Sequence, residues 1–429
     1  MTCEVALLNR HAVALAADSA TTVTYWEQGQ RKERYFKGTN KLFNLSFAHP
    51  VALMTSDSGT MQGVPWEVLV KAYRDAAGSE ALDSINGYAP DLFKYIEGNS
   101  DLYPPDFQEK QLISDLVDTA ALIVSLTSRN KDVAEATKAK DKKAIRKAGK
   151  SAFSDLTKKI EAAEFIDKAD NNIADDIRAR YADKILEGIK QRKYIVDRED
   201  IVPFKDLAPL APLALVKKSY TTLDTTDIVV AGFGDKEYFP RLKSYTVYGL
   251  VLGKILYADG DETIINQENT AAIVPIARSS MIKNFMYGVA PSVLSQIGSG
   301  VTKALDEFHD ALIRDGKLDG NVDVGALKNK ASESFNVAIS EELIRSHGIP
   351  LRRVVGLLPL DELADLAEIL VSIESLKERV TTTTETVSGP IDVAVISKGD
   401  GFIWIKRKHY FDPKLNPRYF HRRGVSSHE

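Results

Sequence analysis

Short apolar runs separated by turn residues dominate the first ninety residues. Residues 3–8 and 12–17 are almost wholly apolar, and the three polar residues between them predict two buried strands joined by a tight turn. Residues 41–46 and 51–55 form a second pair of β-like runs around a four-residue connection. A helical pattern then runs over residues 65–73 and opens with proline, as helices often do. The predicted order is four strands followed by a helix.

The pattern becomes helical after about residue 95. Residues 112–124 carry apolar side chains at helical spacing, which predicts an amphipathic helix that needs a packing partner. Residues 129–150 are rich in lysine and arginine and residues 161–183 are rich in acids, so two further helices with solvated charged faces are expected. Residues 203–214 contain three prolines, which predicts an extended linker returning the chain to β structure.

The rest of the chain mixes strands and helices. An acidic amphipathic segment near the C-terminus precedes two strands separated by a glycine-containing turn. A basic tail without a clear period follows. Predicted strands cover residues 227–234, 243–252, 254–258, 391–396 and 402–406, and predicted helices cover residues 280–315 and 360–370.

Composition narrows the class of protein. Of 429 residues, 44% are hydrophobic and 27% charged, as in soluble globular proteins. The net charge of −4 supplies no general attraction for nucleic acid or anionic lipid, so neither partner is expected. One cysteine and seven scattered histidines predict no disulfide framework, metal site or cofactor. There is no long apolar run or basic, apolar leader, so we expect a cytoplasmic protein whose fold begins at the start of the chain.

Chemistry-bearing residues collect at one end of the predicted hairpins. The two tight connections pair Thr2 with Asp18 and Lys41 with Ser56 if the strands are regular. Once Met1 is removed, Thr2 carries a hydroxyl nucleophile and a free α-amine, whose reference pKa of about 7.7–8.0 suits proton transfer. Lys41 would favour the alkoxide, and Asp18 would hold Lys41 charged. From these residues alone, Thr2 as a frayed end and Asp18 with Lys41 as a common ion pair is the simpler interpretation, and the nucleophile site is the alternative to it.

The same segments carry a family resemblance. The opening from Thr2 to the Ala-Ala-Asp18-Ser motif resembles that of proteasome β-type subunits and bacterial proteasome-like peptidases, which are N-terminal nucleophile hydrolases. Residues 37–43 resemble the segment with the family's catalytic lysine, and residues 52–59 are similar to its strand and small-residue turn. Residues 385–393 resemble the acid and Ser-Gly pattern that completes its site.

The resemblance implies an α+β fold, a four-layer αββα sandwich with an inserted helical subdomain. The implied parts are a first core segment (1–94), a helical insertion with a Pro-rich return linker (95–225), a second core segment (226–290), a helical extension (291–354), a last core segment (355–406) and a basic tail (407–429). About half of the chain therefore resembles the family's core, in the family's order.

The implied activity is peptide-bond hydrolysis through an acyl-enzyme on Thr2. The resemblance implies catalytic roles for Thr2, Asp18, Lys41, Ser279, Glu385 and Ser388, and an oxyanion-binding backbone N–H at Ser56 or Asp57. Maturation would need only removal of the first methionine. The sequence departs from the family pattern where Ser-Asp stands at the usual glycine of the oxyanion turn, where an arginine precedes Ser279, and where a glutamate replaces the usual aspartate at 385.

Other functions stay open on this sequence. The chain could be a catalytically idle proteasome-like scaffold that binds partners, which an unchanged function in Thr2→Ala would indicate. It could also be an amidohydrolase for small molecules on the same fold, which assays of small amides against unfolded protein would separate. For the peptidase, the expected partners are peptide or unfolded protein substrates, further copies of the chain in a homo-oligomeric ring, and an ATP-dependent unfoldase or another protein docked on the insertion.

Overall fold

The predicted strands and helices are present, and the structure adds strands that were not predicted at Thr21–Glu27, Gln30–Phe36, Thr60–Met61, Val64–Pro65 and Ala271–Ala277. A computed structural model describes residues 2–27, 30–319, 323–381, 389–416 and 418, and all that follows concerns these residues. The strands are β1 (Cys3–Asn9), β2 (Ala12–Ala17), β3 (Thr21–Glu27), β4 (Gln30–Phe36), β5 (Leu42–Asn44), β6 (Val51–Asp57), β7 (Thr60–Met61), β8 (Val64–Pro65), β9 (Thr226–Gly232), β10 (Arg241–Val251), β11 (Lys254–Ile264), β12 (Ala271–Ala277), β13 (Asp392–Ser397) and β14 (Gly401–Lys406).

The helices fall into two groups along the chain, one between β8 and β9 and one between β12 and β13. They are α1 (Trp66–Ala77), α2 (Ile85–Glu97), α3 (Pro105–Ser128), α4 (Lys131–Lys138), α5 (Lys142–Ala162), α6 (Asn171–Gln191), α7 (Lys193–Val196), α8 (Phe204–Leu215), α9 (Ser280–Tyr287), α10 (Pro291–Arg314), α11 (Gly325–Leu343), α12 (Ile349–Val355) and α13 (Leu360–Thr381). A π-helical turn (Ile344–Gly348) joins α11 to α12, and a 3-10 turn covers Pro413–Leu415. The chain is thus a mixed α and β protein.

Two five-stranded antiparallel sheets form the β structure at the candidate site. The first sheet has the strand order β12-β1-β2-β13-β14, and the second has the order β11-β10-β9-β6-β5. Two small hairpins, β3-β4 and β7-β8, stand apart from them. The chain's N-terminal strand, β1, is therefore an inner strand of the first sheet.

Apolar side chains of the two sheets pack against each other. Leu8 and Leu15 of the first sheet share one buried cluster with Met54 and Val229 of the second. Because side chains alternate between the faces of a strand, the odd-numbered residues of β1, including Val5, point away from the second sheet. The even-numbered face of β1 is thus the one turned toward the second sheet.

Helices cover the outer face of each sheet. Trp66 of α1 and Leu92 of α2 pack with the second sheet, in a cluster that also contains Val230. Helices α9, α12 and α13 pack with the first sheet through residues such as Ile282 and Leu363. Much of the outer face of each sheet is thereby removed from water, which stabilises the sheets, while β14 and the second half of β11 stay largely exposed.

Helices α3 to α8 form a separate buried cluster. Leu116 and Ile123 of α3 pack there with Ile185 of α6 and Leu210 of α8, and Leu256 joins the cluster from β11. Among the described helices, α3 alone has the length and composition needed to cross a membrane, and just under half of its most apolar stretch is buried within the protein.

The structure corrects the prediction of an extended Pro-rich linker at residues 203–214. This segment is the helix α8, which begins directly after Pro203 and contains Pro209 and Pro212. Proline costs helical hydrogen bonds, but Leu207 and Ala211 of this segment are fully buried in the cluster of α3 to α8. Burial of the apolar face therefore outweighs the local preference for extended structure.

The predicted helix over residues 280–315 is two helices. Gly288 ends α9 in the left-handed conformation with φ of 73°, and Pro291 begins α10 as its first residue. Glycine adopts this φ without steric cost, and proline suits the first turn of a helix. Two local signals thus interrupt what looked like one periodic segment.

Candidate active site

The β1-β2 hairpin has a register one residue different from the predicted one. Its paired residues run from Leu8 opposite Val13 to Glu4 opposite Ala17, and the Asp18 N–H donates to the Cys3 carbonyl at 3.1 Å. The correction arises at the turn, where the Asn9 side chain accepts from two backbone N–H groups and closes a two-residue connection. Asp18 therefore lies opposite Cys3, one residue from the predicted partner Thr2.

Thr2 directly precedes the inner strand β1 and is almost completely buried. Its carbonyl accepts a hydrogen bond from the Arg278 N–H at 2.9 Å, which continues the β1-β12 ladder by one residue. The Thr2 side chain is 5% exposed, and its Oγ1 has no hydrogen-bond partner in the described parts of the chain. A buried hydroxyl without a partner is costly, so this oxygen is available for another interaction.

A buried ion pair between Asp18 and Lys41 lies beside Thr2. Lys41 Nζ donates to Asp18 Oδ1 at 2.7 Å, and the two side chains are 4% and 1% exposed. The same Asp18 oxygen accepts from the Cys3 N–H at 3.0 Å, and the other accepts from the Ala20 N–H at 3.1 Å. These donors compensate the buried carboxylate and fix its position relative to the residue that follows Thr2.

Lys41 comes from the second sheet, also with a register one residue from the predicted one. Leu42 pairs with Met54, and the Thr55 N–H donates to the Lys41 carbonyl at 2.9 Å, so Lys41 lies opposite Thr55 and not Ser56. The Ser46 hydroxyl accepts from the N–H groups of residues 48 and 49 and shifts the centre of the turn. The side chain of Lys41 nevertheless reaches Asp18 on the first sheet.

The oxyanion candidates end strand β6. Ser56 is buried and pairs with Asp227 of β9, and Asp57 pairs with Thr226. Asp57 has φ of 65°, a left-handed conformation in which glycine is favoured over residues with a side chain. The backbone here thus adopts the glycine-type conformation although the sequence has aspartate.

The segment before α9 lies next to Thr2. Ser279 is 9% exposed and precedes α9 without capping that helix through its side chain. Its neighbour Arg278 donates to the Thr2 carbonyl through its N–H and forms an ion pair with Glu378. Two other predicted site residues, Glu385 and Ser388, lie outside the described residues.

Two acids of α13 hold this segment and were missed by the sequence analysis. Glu374 accepts from the Ser280 hydroxyl at 2.8 Å and from the Met281 N–H at 2.6 Å, and Glu378 pairs with Arg278. Both glutamates are almost fully buried. Their spacing of four residues on an amphipathic helix was the signal, since it places two acids on one face.

Glu4 is a further buried acid that the sequence analysis missed. It is fully buried, and neither carboxylate oxygen has a hydrogen-bond partner among the residues described. Burial raises the pKa of its carboxyl group from 4.5 to about 8. Lys41, the largest opposing influence, and the Thr2 hydroxyl lower this pKa, whereas Asp18 and Asp57 raise it further. A charged residue inside the apolar run of β1 was the available sequence signal.

Cys3 points to the other side of β1. It packs in the cluster that joins the first sheet to α13, while Thr2 and Glu4 belong to the even-numbered face. Burial raises the pKa of its thiol, and Asp18, Glu374 and Glu4 raise it further against the opposing effect of Lys41. Cys3 is therefore a protonated packing residue and a poor nucleophile.

No group of three or more histidine, cysteine, aspartate or glutamate side chains arranged to hold a metal ion occurs in the described part of the chain. The arrangement at Thr2 consists of a hydroxyl, a lysine–aspartate pair and a neutral buried acid. Such a set can transfer protons and stabilise an alkoxide, which suits nucleophilic chemistry at a carbonyl carbon.

Comparisons with known proteins add little to this description. No protein-family model matches the chain, and no curated protein matches it. Among solved structures, the chain is similar to an Anbu (Gly-1) mutant from Hyphomicrobium sp. strain MC1, with 11% sequence identity, coverage of 100% of this chain and 98% of that chain, and a TM-score of 0.26. That similarity is too low to assign a fold or a function.

Proposed function

We propose that this chain is an N-terminal threonine hydrolase of the proteasome type, with Thr2 as the nucleophile for peptide-bond cleavage. The observation that carries the proposal is the buried Lys41–Asp18 pair, which the Cys3 N–H links to the backbone beside Thr2. The buried Thr2 hydroxyl, which has no partner within the described residues, supports it further. A lysine and an aspartate would otherwise be expected at the surface, where ion pairs are easier to hydrate.

The packing of the sheets supports a matching fold. One buried cluster lies between the two antiparallel sheets, and two others join each sheet to helices on its outer face. We assign this order to the four-layer αββα sandwich of N-terminal nucleophile hydrolases. In this assignment the cluster of α3 to α8 belongs to the insertion at 95–225, residues 1–94, 226–290 and 355–406 form the core, 291–354 is a helical extension, and 407–429 is a tail.

The proposed reaction begins when Thr2 Oγ attacks the carbonyl carbon of a peptide bond. Removal of Met1 would free the α-amine of Thr2, which accepts the hydroxyl proton and later protonates the leaving amine. Lys41 favours the developing negative charge on Oγ, and Asp18 keeps Lys41 charged and in place. Water then hydrolyses the acyl-enzyme and restores the hydroxyl.

The supporting groups have separate roles in this proposal. A backbone N–H at Ser56 or Asp57 stabilises the oxyanion, and the left-handed φ of Asp57 supports a sharp turn of the chain there. Ser279 lies in the segment that Arg278 attaches to Thr2, where it would order the α-amine or the water. Glu385 and Ser388 are assigned to the same task from the sequence alone.

The proposed substrates are peptides or unfolded proteins, and the proposed assembly is a homo-oligomeric ring that encloses the active sites. The helices α3 to α8 are the proposed docking element for an ATP-dependent unfoldase or another protein partner. Size-exclusion chromatography with light scattering tests the ring, because a monomeric chain at micromolar concentration would contradict it.

An epoxyketone tests the proposed nucleophile directly, because this reagent requires a hydroxyl and a free α-amine on one residue. We expect the intact mass to show loss of Met1 and one adduct, which peptide mapping places on Thr2. Thr2→Ala is the control and should form no adduct. Thr2→Ser keeps the hydroxyl and amine and should form one. A folded chain that starts at Thr2 and forms no adduct would contradict the proposal.

A further inference from the structure

Glu4 is the least compensated acidic residue of the candidate site. Its side chain is fully buried in strand β1, and both carboxylate oxygens lack hydrogen-bond partners throughout residues 2–27, 30–319, 323–381, 389–416 and 418. By contrast, the buried carboxylate of Asp18 has two N–H donors and the Lys41 ammonium. Native proteins rarely keep such a group without a functional reason, because a leucine or glutamine would occupy the same volume at lower cost.

Glu4 lies on the same face of the strand as Thr2. The two residues are two positions apart, which puts their Cβ atoms roughly 6.5–7 Å apart, within reach of a glutamate side chain. The residues paired with Glu4 on either side are Ile276 of β12 and Ala17 of β2, neither of which can donate from its side chain. The polar group nearest along its own strand face is the Thr2 hydroxyl.

The charges facing Glu4 come from three other elements. Lys41 precedes β5 and favours the carboxylate, whereas Asp18 after β2 and Asp57 at the end of β6 disfavour it. The Thr2 hydroxyl, which directly precedes β1, also favours the carboxylate as a hydrogen-bond donor, although the contact falls short of a full hydrogen bond. Burial outweighs these effects, so Glu4 holds a proton at rest and releases it near neutral to mildly alkaline pH.

We propose that Glu4 is a second proton acceptor for Thr2, in addition to the α-amine. This inference rests on the proposed function. In its ionised form, Glu4 accepts the proton of the Thr2 hydroxyl while the Oγ lone pair forms the bond to the carbonyl carbon. The carbonyl π pair moves to the oxygen as the O–H bond breaks, and Glu4 returns its proton to the leaving group when the C–N bond breaks.

The incomplete hydrogen bonding of both groups favours this assignment over a packing role. Catalytic hydrogen bonds are often incomplete in the absence of substrate and shorten when it binds. An acid that releases its proton near the working pH is also the best-matched base for a hydroxyl. A packing residue would need neither property, and its carboxyl group would only destabilise the fold.

Acylation of Thr2 by a peptide β-lactone tests this role, since ring opening needs activation of the hydroxyl. The labelling rate is measured by intact mass from pH 5.5 to 9 for the wild-type chain and for Glu4→Gln, which keeps the shape of the side chain but cannot accept the proton. We expect the wild-type rate to rise toward pH 8, and Glu4→Gln to be slower by about 100-fold or more. Asp115→Asn is the matched control, because Asp115 is an acid of raised pKa in α3, away from this site, and should label like wild type.

The outcomes separate the two proposals. If Glu4→Gln labels within about threefold of wild type and with the same rise near pH 8, the α-amine acts alone and the role of Glu4 is overturned. If wild type and Thr2→Ala label equally, the proposed function fails and the role of Glu4 fails with it. Urea unfolding distinguishes a packing role, since Glu4→Gln should be at least as stable as wild type. A variant that is both slower and less stable would overturn the inference.

Discussion

Replacing Glu4 by glutamine should stabilise the protein in a pH-dependent way. The folded chain holds the Glu4 carboxyl where burial raises its pKa from 4.5 to about 8, while the unfolded chain returns it to water. Between these two values the unfolded state releases a proton that the folded state keeps. The free energy of unfolding of the wild-type chain therefore falls as pH rises through this window, and it levels off above the folded pKa.

The size of the effect follows from the shift. Each pKa unit corresponds to about 1.4 kcal/mol, so the 2.5 units between pH 4.5 and 7 would give about 3.5 kcal/mol. Because the unfolded carboxyl group is already half ionised at pH 4.5, the loss in the wild-type chain over this interval is about 3 kcal/mol. Glutamine has no such proton to release and should remove this slope. The difference between Glu4→Gln and wild type should thus grow by about the same amount over the same interval.

Urea unfolding of both proteins at pH 5, 6, 7 and 8, followed by fluorescence, measures this difference. Asp115→Asn is an informative second variant, because burial raises the pKa of Asp115 from 3.8 to about 6. The difference in unfolding free energy between Asp115→Asn and wild type should grow as the pH rises toward 6 and stay nearly constant above that pH. A constant difference between Glu4→Gln and wild type from pH 5 to 8 would refute the reasoning, since it would mean that folding does not shift this carboxyl group.

Three further predictions concern other residues of the site. Lys41→Met leaves Asp18 without its ammonium partner and should lower the free energy of unfolding, measured in urea, by about 3–5 kcal/mol. The double variant Lys41→Met, Asp18→Asn should lose less unfolding free energy than the sum of the two single variants. Asp57→Gly should stabilise the folded protein by up to about 1 kcal/mol, because Asp57 has φ of 65°, a conformation that glycine adopts without strain. Asp57→Ala should give no such gain. Equal effects of the two changes on the thermal unfolding temperature would argue against backbone strain at this position. Cys3 is fully buried with a raised pKa, so a thiol-specific disulfide reagent should react with it only in the denaturant-unfolded chain; rapid reaction in native buffer would contradict the packing of β1.

The strands near the site were predictable because their apolar runs are short and bounded by polar residues. Their registers were not, since each depends on side-chain hydrogen bonds inside a turn. Asn9 closes the first turn and Ser46 shapes the second, and each moves the pairing by one residue. Asp18 and Lys41 still meet, because both side chains extend past the ends of their strands into the same space.

Other differences arise where tertiary packing overrides a local signal. Pro209 and Pro212 predicted an extended segment, but the apolar face of α8 is buried by neighbouring helices. Glu4 looked like one polar residue in an apolar strand, and the sequence does not show which face of the sheet it occupies. Strand alternation could have placed it beside Thr2, but its lack of partners depends on residues from other strands.

The candidate site depends on the packing of the two sheets against each other. Thr2, Glu4 and Asp18 belong to the first sheet or its connections, whereas Lys41 enters from the edge of the second. No backbone ladder joins β2 to β5, so the distance between Asp18 and Lys41 is set by the apolar side chains between the sheets. A packed interior is not continuously deformable, and this fixes the Lys41 ammonium against Asp18 more firmly than a surface ion pair would be fixed. Substitutions of apolar residues in the cluster between the two sheets should therefore lower the reactivity of Thr2, even when every polar residue of the candidate site is retained.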